Sequence, residues 1–121
     1  MNERIRSNQM YMMQEKFDAL YADSKNRSNF YHLYDTIVSR NNILLAYRNL
    51  RTNTGVNTAG IDGKTIQYLN ELSDDDLVTL VRSRLEHYSP QPVRRVEIPK
   101  RFGGTRPLGI PTIVEIGRAH V

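Results

Sequence analysis

Pro92-Val-Arg-Arg-Val-Glu-Ile-Pro-Lys-Arg-Phe-Gly-Gly-Thr-Arg-Pro-Leu-Gly-Ile-Pro111 is the stretch on which the fold turns. Val93 to Ile98 mixes β-branched and charged residues over the length of a strand. Gly103-Gly104 supplies a turn in which positive φ costs nothing. Arg106 to Ile110 returns as a second arm, bounded by Pro107 and Pro111, which cannot donate to a ladder. The spacing predicts a β-hairpin over 92–111 with an exposed, cationic edge. Five basic residues (Arg94, Arg95, Lys100, Arg101, Arg106) stand between Val93 and Pro107 against one acid, Glu97. Side chains alternate along a strand, so Arg94, Val96 and Ile98 share one face. Arg95 and Glu97 share the other, where they can pair. Lys100 and Arg106 flank the turn and can converge across it. An ammonium and a guanidinium aimed at one spot suit a polyphosphate. A plainer reading stands beside that one: a solvated basic turn that only blunts a sheet edge.

Upstream of the hairpin the pattern is helical. Ser73-Asp-Asp-Asp76 reads as a capped helix start with acids on the positive end of the dipole. Leu77, Leu80, Val81, Leu85 and Tyr88 make the expected buried stripe, with Arg82 and Glu86 as an outer i, i+4 pair. Three adjacent aspartates on a helix diverge by about 100° each, so they do not converge on a metal. Ser39 is expected to cap a helix with Ile43, Leu44, Tyr47 and Leu50 inward and Arg40, Arg48 and Arg51 outward. Asn29 is expected to cap another, carrying Phe30, Tyr31, Leu33, Tyr34, Ile37 and Val38 on one broad face. A first helix is expected from about Gln9 to Ala22 after a frayed start, with Met10, Met12 and Met13 filling a groove or core. His32 reads as a surface or hydrogen-bonded residue, since no partner sits at ligand spacing, and His87 as structural, near a helix end where a cation is favoured.

Thr52 to Gly63 is the main loop, with three glycines and five Asn or Thr residues. Gly55-Val-Asn-Thr-Ala-Gly60 has the glycine spacing of a phosphate loop, but Ile61-Asp62 follows in place of Lys-Ser/Thr. Gly63-Lys64-Thr65 has the right ending, with Thr58 where the earlier glycine belongs. Neither follows an apolar strand, so the motif fails. Asp62 is expected to cap a short helix from Gly63 to Leu72.

Composition bounds the function classes. The chain has 121 residues, a net charge of +4 and no cysteine. That leaves room for one domain at most, favours polyanionic partners and rules out a disulfide framework or thiolate chemistry. No run of apolar residues is long enough to span a membrane, and the amino terminus lacks the apolar core of a signal peptide.

Two blocks carry a resemblance to a known family. Pro92 to Lys100 together with Gly103 to Ile113 is similar to the first fingers block of group II intron reverse transcriptases, or maturases. Asn57-Thr-Ala-Gly-Ile-Asp-Gly-Lys-Thr-Ile66 resembles the block that precedes it in that family, and Asn42-Ile-Leu-Leu-Ala-Tyr-Arg-Asn49 fits the family's amino-terminal helical region. The similarity covers roughly residues 16–114. It implies an α+β chain: an amino-terminal extension (1–28), then helices and the start of the fingers of a right-hand polymerase fold (29–114), an incomplete domain. Residues 115–121, Glu-Ile-Gly-Arg-Ala-His-Val, depart from the family and resemble a translated sequencing adapter. They are expected to be a non-native tail, which gives Arg118 and His120 no role.

The resemblance implies an RNA-directed DNA polymerase whose partners are group II intron RNA, an RNA template, a DNA primer and dNTP. Arg94, Lys100 and Arg106 would reach the dNTP triphosphate; Lys64, Arg95 and Arg101 would contact nucleic acid. The catalytic aspartates and their Mg²⁺ belong to palm blocks beyond Val114, so the fragment is expected to be inactive alone. Tyr21-Ala-Asp-Ser24 resembles the palm signature but has one carboxylate on an amphipathic helix, and two-metal chemistry needs clustered carboxylates. A cytoplasmic (bacterial-type) or organellar location is expected. The alternatives are a non-catalytic basic RNA-binding module and a small basic scaffold whose charge only solubilises it.

Overall fold

The structure is a computed structural model and describes residues 2–121. Its elements run α1 (Glu3–Met10), α2 (Gln14–Lys25), α3 (Leu33–Ile37), α4 (Arg40–Leu50), α5 (Ile66–Asn70), α6 (Asp74–Glu86), β1 (Arg94–Pro99), β2 (Thr105–Ile110) and α7 (Ile113–His120). The chain is therefore α+β, with a helical region followed by one two-stranded antiparallel sheet among the described residues. No helix of the described residues is long and apolar enough to cross a membrane.

The core forms where α4, α6 and α7 meet. Ser39 starts α4, its side chain accepting from Asn42 N–H at 3.4 Å. Ile43, Ala46, Tyr47 and Leu50 then repeat at helical spacing and are buried. Ser73 starts α6 in the same way, accepting from Asp76 N–H at 3.1 Å, with Asp74, Asp75 and Asp76 in the first turn. Leu77, Val78 and Val81 are its buried positions. Thr112 caps α7, which runs without a break through 114/115 and buries Ile113 and Val114. Tyr47 lies against Gly117 of α7, and its hydroxyl donates to the Val114 carbonyl at 3.2 Å. Burial pushes the Tyr47 phenol well above its ordinary pKa; the Glu115 carboxylate adds to this and Arg118 opposes it.

Several expected helices are shorter or broken. The helix expected from Gln9 to Ala22 is interrupted after Met10, where Met12 takes a positive φ of 58°. The turn carries Met13 into full burial, while Met10 and Met12 stay exposed. Asn29 caps nothing: His32 at φ 58° precedes α3, which is only five residues long. Phe30, Tyr31, Leu33 and Tyr34 are consequently exposed. Asp62 accepts from Lys64 N–H at 3.1 Å in a turn rather than capping a helix, and α5 begins only at Ile66. Arg82 does not pair with Glu86; its Nε donates to the Val38 carbonyl at 2.9 Å, tying α6 to the end of α3. Val78 is buried on α6, whereas Tyr88, expected on the buried stripe, lies beyond the helix end and is exposed, its ring beneath Arg118 at 4.5 Å.

Candidate functional site

The hairpin forms over the predicted stretch, but it reverses about Phe102 rather than between Gly103 and Gly104. Arg94 pairs with Ile110, Val96 with Leu108, Ile98 with Arg106 and Pro99 with Thr105. The ladder extends one step further, Lys100 N–H donating to the Gly104 carbonyl at 2.9 Å. Arg101, Phe102 and Gly103 are left as the loop, with Gly103 and Gly104 at φ 99° and 75°. Only glycine takes such angles without steric cost, so the two glycines set where the hairpin reverses. The sheet packs little against the helices: both strands are exposed apart from half-buried Val96, Ile98 and Ile110.

Residues directly opposite in an antiparallel pair point to the same side. Arg94, Val96 and Ile98 therefore share a face with Arg106, Leu108 and Ile110. Lys100 continues the alternation and sits diagonally from Arg106, a separation of about 7–8 Å that long side chains bridge. Arg94 is on that face too, but at its open end, about 13 Å along the strand from the Ile98–Arg106 pair. The three cations expected to act together are thus on one face, two beside the turn and one at the far end, with an apolar strip between.

Their partners differ as well. Arg94 Nε donates to the Ala59 carbonyl at 2.9 Å, so this guanidinium ties the hairpin to the 57–60 loop. Arg95 pairs with Glu97 at 3.1 Å on the opposite face. Lys64 lies over the Tyr68 ring at 4.1 Å, and Arg101 over Phe102 at 5.7 Å. Among the described residues, Lys100 and Arg106 have no side-chain hydrogen-bond or ion-pair partner. Of the six candidate cations, these two are the ones with no hydrogen-bond, ion-pair or aromatic partner among the described residues.

The two sequence blocks meet through backbone as well as side chain. Gly60 is buried, and a Cβ there would stand 2.8 Å from Pro111 O and Thr112 Cα. A residue larger than glycine would push the loop off the junction between β2 and α7. Ile66 N–H donates to the Val56 carbonyl at 2.9 Å, closing the loop at its base. The loop thus straps the open end of the hairpin to the helical body. Sequence reasoning placed Arg94 at a ligand; it had no signal for the Ala59 carbonyl, a backbone partner 35 residues away.

Known proteins share this sequence in part. The chain is 40 % identical over 73 residues to a COX1/OXI3 intron 2 protein of Saccharomyces cerevisiae, 56 % of this chain and 8 % of that protein. It is 35 % identical over 88 residues to the group II intron-encoded protein LtrA of Lactococcus lactis subsp. cremoris, 71 % of this chain and 14 % of LtrA. The chain is similar over most of its length to part of a group II intron-encoded protein. A third relative, a 91 kDa protein in the cob intron of Schizosaccharomyces pombe, is 34 % identical over 99 residues, 78 % of this chain and 12 % of its own length. The chain thus spans between 8 % and 14 % of the length of these intron-encoded relatives. No family model matches it.

Chemistry at a metal is a separate matter. Among the described residues no three His, Asp or Glu side chains come together as a metal-binding group. The aspartates of α6 are exposed, and Asp75 is taken by Arg40. These residues do not fit an Mg²⁺ site.

Proposed function

We propose that this chain is the amino-terminal and first fingers segment of a group II intron reverse transcriptase, and that its hairpin binds the triphosphate of an incoming dNTP. The observation that carries this is the diagonal pair of unpartnered cations, Lys100 and Arg106, on one face beside the turn. A triphosphate presents several anionic oxygens within reach of two such donors. Cations there neutralise charge on the transferring group and hold it for in-line attack. Arg94 has a different part in this reading: bound to Ala59, it fixes the angle at which the hairpin leaves the body. Lys64, Arg95 and Arg101 would contact template phosphates. Intron RNA, RNA template and DNA primer are the proposed partners, and the chain alone is inactive because the palm carboxylates are not among its residues.

The test is Lys100→Ala and Arg106→Ala in a full-length enzyme carrying this segment. Each is expected to weaken nucleotide use by about 1.5–3 kcal/mol, the worth of a charge-assisted contact. Unchanged steady-state kinetics in both variants would remove the dNTP assignment.

A second reading, a non-catalytic RNA-binding module, is favoured by the openness of the hairpin, on which Arg94, Lys100, Arg101 and Arg106 are all exposed. An extended polyanion would lie along such a face. A reading frame downstream of Val114 that encodes a palm with Tyr-x-Asp-Asp supports the polymerase, and a complete gene without one supports the module.

A further inference from the structure

We infer that the hairpin tip is a stacking platform for an unpaired nucleic-acid base, with Phe102 as its surface. Phe102 is 94 % exposed, the most exposed large apolar side chain described, and nothing in the fold uses it. It stands at the middle of the three-residue loop, which the Lys100 N–H to Gly104 carbonyl bond closes and in which Gly103 and Gly104 take positive φ. Arg101 lies over one face of its ring at 5.7 Å, so the tip offers an aromatic face with a guanidinium next to it. Both surfaces take up a base, whatever its identity.

Charge at the tip selects the occupant. Lys100 and Arg106 flank the loop without partners among the described residues. The nearest acid along the hairpin, Glu97, is held by Arg95 on the opposite face. An apolar ring set in unopposed positive charge fits a single-stranded nucleic acid, whose bases stack while its phosphates meet the cations. A protein partner of matching shape would need a cluster of acids around an aromatic pocket, and an anionic membrane would need only charge and depth. The inference rests on the reading that the hairpin cations engage phosphates, and adds that a base, not only a backbone, is bound.

The experiment uses the 121-residue chain and fluorescently labelled single-stranded RNA of about a dozen nucleotides, with an abasic strand of equal length as control. Phe102→Ala is expected to weaken binding of the base-bearing strand on the order of tenfold and to leave the abasic strand unchanged. Lys100→Ala and Arg106→Ala should weaken both strands. Phe102→Trp, the only tryptophan in a chain that has none, should retain affinity and show quenched emission with the base-bearing strand alone. Equal affinity of Phe102→Ala and the parent chain for the base-bearing strand overturns stacking, as does an equal loss on both strands. If the cation variants still weaken binding in that case, the phosphate reading survives; if they do not, it falls too. Emission of Phe102→Trp that responds to anionic phospholipid vesicles and not to RNA also overturns the inference, in favour of a membrane contact.

Discussion

The helical body and the hairpin are built on opposite terms. In the body, Ile43, Tyr47, Leu50, Leu77, Val81 and Ile113 are almost wholly buried, and side-chain bonds such as Arg40–Asp75 and Arg82–Val38 link its elements. In the hairpin, nearly every side chain faces solvent, the ladder is the main source of order, and two cations and a phenylalanine have no task inside the molecule. Cohesion resides in one region and chemical readiness in the other. The Arg94–Ala59 bond and the close seat of Gly60 on Pro111 and Thr112 join them.

The comparison breaks most visibly if the body is cut. Leu50→Ala is expected to cost about 2–5 kcal/mol in urea unfolding, through lost burial and the cavity left behind. Phe102→Ala, at the other extreme, should stay within about 0.5 kcal/mol of the parent chain in the same measurement. Similar losses in both would mean that the hairpin tip is packed in solution.

The junction ranks next. Gly60→Ala should destabilise by about 1–3 kcal/mol, because its methyl meets backbone that has no rotamer to yield. Arg94→Ala removes a single exposed hydrogen bond and should cost about 1 kcal/mol or less. If Arg94 only braces the hairpin, Arg94→Ala will also lower RNA affinity less than Lys100→Ala does.

A smaller effect is set by pH. The folded state holds the Tyr47 phenol neutral, with its pKa raised by burial, while the unfolded chain ionises it near the usual value of about 10. That contribution is fully present below about pH 10 and is lost as pH rises toward the folded value. Tyr47→Phe should flatten this alkaline limb of the stability curve, measured by urea midpoints across the range.

Much of this division was legible in the sequence, for reasons tied to particular residues. The hairpin itself followed from the β-branched run at Val93 to Ile98 and from Gly103-Gly104, but its register did not, because the turn is centred on Phe102, one residue before the glycines. Ser39 and Ser73 announced α4 and α6, because a cap makes a local hydrogen bond that local sequence encodes. Helix extent was not legible where a single residue departs from helical φ: Met12 and His32 carry no chemical mark of doing so. Partners far along the chain were equally hidden. Arg82 with Val38 and Arg94 with Ala59 are bonds to carbonyls, which every residue has. Alternation put Arg94 with Val96 and Ile98; that Arg106 shares their face needed the observed register, and that Arg94 is already engaged needed the fold.

The measurement that bears most directly on the central claim is the salt dependence of single-stranded RNA binding by the parent chain and by the Lys100→Ala/Arg106→Ala double variant. Each phosphate contact on a single strand contributes about 0.7 to the slope of log affinity against log salt, so losing two should make the slope shallower by about 1.4. Identical slopes for the two proteins would contradict the account, because the two hairpin cations would then be meeting no phosphate.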